Sequence, residues 1–213
     1  MPVATTTGLR ALAQRDRALG AVMKRLGPLP AFPQPAQRRM STFAYLARSI
    51  VYQQLAGKAA ATIFGRVCAL TRGCDFPTPQ ALLSLSDDTL RGAGLSRAKL
   101  AALRDLSERV LDGRLKTRGL SRLGNDEIIE RLVAVRGIGP WTAQMFLIFK
   151  LGRLDVLPIA DLGVQEGARI LDSLSKRPTP KELAARGAAW APLSSVAAWY
   201  MWRLADEAKE SLA

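Results

Sequence analysis

The segment "VRGIGPWTAQM", residues 135–145, has one isoleucine between two glycines, followed at once by a proline. Apolar residues at helical spacing precede this segment in "DEIIERLVAV" and follow it in "WTAQMFLIFKLG". Proline is well suited to the first position of a helix, where no hydrogen bond from its nitrogen is needed. The segment therefore predicts a helical hairpin over about 128–151, with a tight turn at Gly137 and Gly139.

A turn of this kind can bind a phosphate. Glycine allows positive φ and lets an anion approach the backbone, because no Cβ stands in the way. The second helix then points its free amides and the positive end of its dipole at the anion. On the pattern alone an ordinary turn is the simpler interpretation, so the phosphate site depends on the rest of the chain.

Helical periodicity extends along nearly the whole chain. In "RAKLAALRDLSERVLDG" the apolar positions Leu100, Leu103 and Leu106 share one face. Thr179 and Glu182 have the spacing of a capping box, and Ser194 is a candidate cap for the last helix. No alternating segment is long enough to predict a strand. The sequence therefore predicts an all-α fold.

The charge balance favours a polyanionic partner. Lys and Arg number 31 against 18 Asp and Glu, a net charge of +13 with a pI near 10.7. Such an excess favours nucleic acid first and an acidic membrane surface second, with a solvated basic surface as the plain alternative. No apolar run approaches the roughly 18–20 residues of a membrane span, and the N-terminus lacks the apolar core of a secretory signal.

The missing residue types restrict the chemistry. The chain has no histidine, which excludes a histidine base and a Ser-His-Asp triad. Cys68 and Cys74 are too few for a four-thiolate metal site. They can form one disulfide, or stay as free thiols in a reducing cytoplasm, the state we expect. Catalysis must then use carboxylates, hydroxyls, lysine or aromatic surfaces.

Several segments resemble motifs of the helix-hairpin-helix DNA glycosylase superfamily and follow one another in the same order as in that superfamily. They lie within residues 42–204 and read "LARSIVYQQLAGKAAATIFGR", "GLSRAKLAAL", "LVAVRGIGPWTAQMF", "DVLPIADLGVQEG" and "SVAAWYMWRL". The pattern is most similar to the alkylbase, or 3-methyladenine DNA glycosylase II, family. The resemblance implies a two-lobed all-α fold with a cleft between the lobes. One lobe would span 42–157, and the other would combine 1–41 with 158–213 and carry the catalytic aspartate, with the Pro-rich "LGPLPAFPQP" at their boundary.

The resemblance implies a glycosylase of base excision repair that flips alkylated purines of the 3-methyladenine and 7-methylguanine type and releases them by hydrolysis. The catalytic residue would be Asp161, whose carboxylate would stabilise the positive charge that develops on the sugar. Asp161 also stands where a helix N-cap belongs, before "LGVQEGARIL", so a capping role is the alternative and the two roles are compatible. Asp155 is the weaker candidate and is interpreted as a turn residue.

The resemblance also assigns roles to the hairpin. The phosphate-binding residues would be Arg136, Gly137, Ile138, Gly139 and Thr142. A structural Na⁺ or K⁺ would bind the backbone carbonyls of Val133, Val135 and Ile138, and no cofactor would be required.

The side chains that fill the gap left by a flipped base would come from Gln53, Gln54 or Leu55. An amide can replace lost base-pair hydrogen bonds, and an apolar side chain can wedge between base steps. Without the resemblance, a half-exposed helix end is the simpler interpretation of this segment.

The base pocket would be aromatic, because alkylation makes a purine cationic and π faces attract cations. The candidates, in order, are Trp141, Tyr45, Trp199 and Tyr200. For Trp199 and Tyr200 a place in the core between helices is the alternative.

Two positions refine the predicted activity. Relatives with lyase activity have a lysine where this chain has Trp141, so no Schiff base is expected there and the enzyme would leave an abasic site. Relatives typically have an aromatic residue and an arginine where this chain has Leu193 and Ser194, which leaves the lesion range open.

The expected partner is double-stranded DNA containing alkylated bases, bound by a monomer without a membrane. The expected location is a bacterial cytoplasm, at the nucleoid, or a eukaryotic nucleus. Two alternatives are a glycosylase for another lesion, such as a deaminated base, and a non-catalytic DNA-binding protein that keeps the hairpin. Changing Asp161 distinguishes an enzyme from a binder.

Overall fold

A computed structural model of the chain describes residues 4–29, 39–71 and 76–211. Within these ranges the regular structure is helical and no strand occurs, which confirms the all-α prediction. Most of the Pro-rich segment and Cys74 lie outside the described residues, and with them the predicted lobe boundary at that segment and the disulfide alternative. None of the described helices is long and apolar enough to cross a membrane.

The described α-helices are, in chain order, α1 (Thr6–Arg15), α2 (Arg17–Leu26), α3 (Thr42–Tyr52), α4 (Gly57–Ala69), α5 (Pro79–Ser84), α6 (Asp87–Gly92), α7 (Arg97–Leu111), α8 (Asn125–Val133), α9 (Pro140–Met145), α10 (Leu162–Leu171), α11 (Pro180–Gly187) and α12 (Ser194–Glu210). Short 3₁₀ turns occur at Leu120–Arg122 and Ala188–Trp190. A π-helical turn, Phe146–Lys150, directly follows α9.

Helix caps explain most of the helix starts. The side chains of Ser41, Thr78 and Ser96 accept hydrogen bonds from backbone amides in the first turns of α3, α5 and α7. The predicted capping box at Thr179 is present in α11. Ser194 differs from the prediction, because it is the first residue of α12 and its hydroxyl donates to Asp155 instead.

The chain divides into two units. The terminal unit consists of Met1–Gln34 and Leu147–Ala213, and the central unit is Pro35–Phe146. The second boundary thus follows residue 146, whereas the sequence predicted residue 157. One contact that assigns this segment to the terminal unit is that of Phe149, whose ring lies 5.5 Å from the ring of Trp202.

The core of the terminal unit forms where α10 packs along α12. A Cβ on Gly167 would lie 2.1 Å from the carbonyl oxygen of Met201, so only glycine allows this close approach of the two helices. Trp190 is fully buried and donates its indole N–H to Asp16, the N-cap of α2. This hydrogen bond joins the N-terminal helices to the rest of the unit.

In the central unit α3 packs on α4 and α7, and α8 packs on α9. The apolar faces predicted from helical spacing supply buried side chains, among them Leu103, Leu106 and Ile128. Val135 and Ile138 are also buried, which fixes the turn between α8 and α9 to the core. The turn is therefore a firmly held part of the central unit.

Candidate functional site

The hairpin consists of α8, α9 and the hairpin turn between them, residues 134–139. Gly137 has φ of +79°, and a Cβ there would lie 3.1 Å from the Cβ of Ala102 on α7. Both the positive φ and the limited space favour glycine at this position. Gly139 has extended backbone at the N-cap of α9, and Pro140 takes the first helical position as predicted.

The backbone amides of the hairpin turn alternate between two environments. The Arg136 amide donates to Asp105 Oδ2 at 2.7 Å, and the Ile138 amide donates to the Val135 carbonyl at 3.1 Å. Within the described residues the amides of Gly137 and Gly139 have no acceptor, and both glycines are exposed. Two exposed N–H groups in one turn, separated by a single residue, suit an anion such as a phosphate.

The plug turn, residues 53–55, follows the end of α3. Gln53 Nε2 donates to the Gly137 carbonyl at 2.8 Å and lies 3.4 Å from Thr142 Oγ1, so this side chain contacts the hairpin. Gln54 is exposed and has φ of +55°, a conformation that is uncommon outside glycine. Leu55 is 39% exposed. The side chains of Gln54 and Leu55 therefore face solvent, whereas Gln53 is held.

A cavity of about 440 Å³ lies beside the plug turn in the central unit. Four of the predicted residues line it, namely Gln53, Gln54, Trp141 and Thr142. The indole of Trp141 is exposed over about half its surface, at 47%. Arg48, Tyr52 and Met145 line the cavity as well, and the Arg48 guanidinium stacks 3.8 Å from the centre of the Tyr52 ring. These three residues lie in segments that resemble the family, but the sequence analysis predicted none of them as a site residue.

The other aromatic candidates are packed within their own units. Tyr45 is buried, its ring meets Phe146 edge-on at 5.7 Å, and burial raises the pKa of its hydroxyl to about 12. Tyr200 is buried and donates its hydroxyl to the Gly27 carbonyl at 2.9 Å. Trp199 is half-buried and stands perpendicular to Tyr200. Tyr45 and Tyr200 therefore belong to the hydrophobic cores of their units. For Tyr200, this is the alternative to a place in the base pocket that the sequence analysis gave.

Asp161 is the N-cap of α10 and is 9% exposed. Its Oδ1 accepts a hydrogen bond from the Val164 amide at 2.8 Å and a second one from Trp202 Nε1 at 2.9 Å. The capping role is therefore real, and the two bonds hold the carboxylate in one orientation. A fixed orientation is also what electrostatic stabilisation of a transition state needs.

Trp202 contacts the predicted catalytic residue but is absent from the predicted pocket. A Cβ on Gly163 would lie 2.8 Å from Trp202 Cδ1 and 3.1 Å from Asp161 Oδ1, so glycine makes room for the indole. The available signal was the spacing of Trp199 and Trp202, which puts a second indole on the same side of α12. The hydrogen bond itself joins residues 41 positions apart and leaves no local pattern.

The departure at Leu193 and Ser194 has a local explanation. Leu193 is 6% exposed and belongs to the core of the terminal unit. The Ser194 hydroxyl donates to Asp155 Oδ1 at 2.5 Å, and the Ser194 amide donates to the same oxygen at 3.3 Å. Asp155 therefore fixes the start of α12, in agreement with a structural role for this carboxylate.

Comparisons with known proteins identify the family of this chain. Residues 47–192 match the family model for HhH-GPD superfamily base excision DNA repair proteins. Over 181 residues the chain is 36% identical to DNA-3-methyladenine glycosylase 1 of Schizosaccharomyces pombe, covering 83% of this chain and 79% of that protein.

Two solved structures are similar over nearly their whole length. One is the 3-methyladenine DNA glycosylase of S. pombe in complex with abasic DNA, with 34% identity, a TM-score of 0.80 and coverage of 93% of this chain and 96% of that one. The other is a DNA-3-methyladenine glycosidase from Bacillus halodurans, with 37% identity, a TM-score of 0.82 and coverage of 97% and 93%. The chain described here belongs to the HhH-GPD superfamily of base excision DNA repair proteins.

Proposed function

We propose that this protein is a monofunctional DNA glycosylase that everts alkylated purines from double-stranded DNA and hydrolyses their N-glycosidic bond. The observation that carries the proposal is the carboxylate of Asp161, which α10 and Trp202 hold in one orientation. The resemblance of the sequence to the family implies that this residue is the catalytic aspartate. The names of the relatives, 3-methyladenine glycosylases from a yeast and a bacterium, support alkylated purines as the substrate.

The first task is to hold a duplex while one nucleotide leaves the stack. The exposed amides of Gly137 and Gly139 bind a backbone phosphate, and the net charge of +13 favours the polyanion as a whole. Gln54 or Leu55 enters the space that the everted base vacates, because both side chains face solvent at the plug turn. Eversion is needed because the target bond is inaccessible inside the duplex.

The second task is bond cleavage. The electron pair of the bond between C1′ and the purine nitrogen leaves with the base, and C1′ becomes cationic. A purine methylated at N3 or N7 carries a positive charge and therefore departs as a neutral molecule. The Asp161 carboxylate stabilises the cationic sugar until water adds to C1′ and loses a proton. The products are a free base and an abasic site.

The base pocket is assigned to the cavity beside Trp141, whose exposed π face attracts a cationic purine. One observation favours a second substrate class. The Arg48 guanidinium lines the same cavity and repels a cationic base, which would favour a neutral lesion such as a deaminated purine. Duplexes that each contain one lesion, 7-methylguanine or hypoxanthine, distinguish the two classes by the base released.

The absence of lyase activity belongs to the same proposal. The resemblance implies that Trp141 stands where bifunctional relatives have a lysine, and an indole cannot form a Schiff base with the sugar. Borohydride treatment during the reaction should therefore trap no protein–DNA adduct. A trapped adduct would overturn the monofunctional assignment.

A structural Na⁺ or K⁺ at the hairpin fits the donor set. Val133 ends α8, and the carbonyls of Val135 and Ile138 follow in the turn. The Val135 carbonyl accepts one hydrogen bond, from Ile138, and keeps a second lone pair. A bound cation would add positive charge beside the phosphate. Exchanging K⁺ for tetramethylammonium at constant ionic strength should then weaken DNA binding.

The test of the proposed function is incubation with methylated duplex DNA and identification of the freed base. Release of 3-methyladenine or 7-methylguanine supports the proposal, whereas release of hypoxanthine alone favours the second substrate class. DNA binding without release of any base would identify a non-catalytic binder. We expect a monomer to act, in whichever compartment holds the DNA.

A further inference from the structure

Helix α7 holds the end of α3 immediately before the plug turn. Lys99 Nζ donates to the Val51 carbonyl at 2.7 Å. Val51 is the penultimate residue of α3, where carbonyl groups lack partners within the helix and carry the negative end of its dipole. Lys99 is partly buried, and its amine supplies the donor that this carbonyl lacks within the helix. This contact fixes the point from which the plug turn starts.

The same helix holds the hairpin turn, about two turns further along. Asp105 Oδ2 accepts the hydrogen bond from the Arg136 amide at 2.7 Å. Arg109 Nε donates to both oxygens of this carboxylate, at 3.0 and 2.8 Å, which fixes its orientation. Between these contacts, Ala102 lies where it would meet any Cβ on Gly137. The hairpin turn is therefore fixed to α7 by a charged hydrogen bond and by direct packing.

Gln53 joins the two turns directly. Its Nε2 donates to the Gly137 carbonyl at 2.8 Å, on the hairpin residue whose own amide remains available for an anion. The three contacts form a closed set, in which α7 holds both turns and Gln53 connects them.

We propose that Gln53, Lys99 and Asp105 are positioning residues that set the distance between the phosphate-binding amides of the hairpin and the plug side chains. The inference rests on the proposed function and deepens it. The phosphate-binding amides and the plug side chains can act on the same nucleotide only if the distance between them matches the duplex. A misplacement of about 1 Å can lower the rate about a hundredfold. In this proposal Gln53 and Lys99, called the brace residues below, hold the plug turn in place, whereas Gln54 and Leu55 enter the DNA.

The test uses Gln53→Met and Lys99→Met, which remove each hydrogen bond donor at similar side-chain length. The matched controls are Gln80→Met and Lys181→Met, exposed residues outside the site that reproduce the loss of an amide and of a charge. Three quantities are measured for each variant: the single-turnover rate of base release, the affinity for undamaged duplex, and the affinity for duplex with an abasic analogue.

We expect each brace variant to lose at least about tenfold in single-turnover rate and in preference for the abasic analogue, with affinity for undamaged duplex unchanged within about threefold. The double variant should lose little more than the worse single variant, because both changes release the same turn. Lys99→Arg should restore most of the rate, since a guanidinium can still donate to the Val51 carbonyl. The controls should behave as the wild type.

Multiplicative losses in the double variant would show that Gln53 contacts DNA independently, and would overturn the inference. Brace variants with the rate and abasic preference of the wild type would overturn it as well. A wild-type protein that releases no base refutes the proposed function instead. In that case the ratio of abasic to undamaged affinity still reports whether Gln53 and Lys99 position the plug turn.

Discussion

Replacing Trp202 with phenylalanine tests whether the indole orients the catalytic carboxylate. Trp202→Phe removes the 2.9 Å hydrogen bond to Asp161 Oδ1 but keeps an aromatic ring near Phe149, 5.5 Å away in the native protein. The Val164 amide still caps the same oxygen, so α10 should keep its first turn. The change therefore removes one contact to the carboxylate and leaves the surrounding fold in place.

The expected loss follows from the kind of bond. A hydrogen bond to a charged group contributes about 1.5–3 kcal/mol. If that energy is needed only in the transition state, the rate of base release falls by about 10- to 150-fold, because each factor of ten corresponds to about 1.4 kcal/mol. Affinity for abasic DNA should change by less than about threefold, since the hairpin and plug turn are untouched.

The assay is single-turnover release of 7-methylguanine from a duplex, with thermal unfolding as the check on stability. The matched control is Tyr200→Phe, which removes one side-chain hydrogen bond, to the Gly27 carbonyl, from the same helix. The reasoning is refuted if Trp202→Phe keeps the wild-type rate within twofold. It is equally refuted if both variants lose the same activity, since the loss would then reflect packing of α12.

Three further results are expected. Gly163→Ala should lower the rate of base release as Trp202→Phe does, because its Cβ would lie 2.8 Å from the indole; an unchanged rate in the same assay would contradict the need for glycine. Asp16→Ala should destabilise the protein by about 2–6 kcal/mol in urea unfolding, because it leaves buried donors on Leu19 and Trp190 without an acceptor and each costs about 1–3 kcal/mol. Burial raises the pKa of Asp16, but hydrogen bonds from Leu19, Trp190 and Arg186 outweigh it and hold the pKa below its usual value. The pH-dependent part of this stabilisation is present above about pH 4 and is lost as the pH falls through the lowered folded pKa. The difference in unfolding free energy between the wild type and Asp16→Ala should therefore narrow in acid. DNA affinity should fall steeply with salt, by roughly 0.9 log units per tenfold increase for each phosphate contacted, whereas a flat response would exclude the basic surface as the DNA footprint.

Helices were predictable because their signals are local. Apolar spacing placed the buried faces of α7 and α8, and the Thr179 capping box marked the start of α11. The division of the chain was less predictable, because it depends on contacts distant in sequence. Phe149 follows the hairpin helix directly, yet its ring packs near Trp202 of the last helix, so the boundary moves to residue 146.

In the candidate site as well, features with a local sequence signal were predictable, and contacts between residues distant in sequence were not. Gly137 was predictable because positive φ and close approach both favour a glycine, and the turn has both. The separate roles of Gln53 and Gln54 were not predictable. The two residues are identical and adjacent, and only the backbone conformation decides which side chain contacts the hairpin and which faces solvent. Trp202 was missed for a related reason, since its partner Asp161 lies 41 residues away.

The most direct test of the catalytic assignment compares Asp161→Asn with Asp155→Asn on methylated duplex DNA. Asparagine is also a good N-cap, so the start of α10 should survive the first change. We predict that Asp161→Asn lowers base release by at least about 10²-fold while DNA affinity stays within about threefold, and that Asp155→Asn stays much closer to the wild type. Base release by Asp161→Asn at the wild-type rate would contradict the assignment of this carboxylate as the catalytic group.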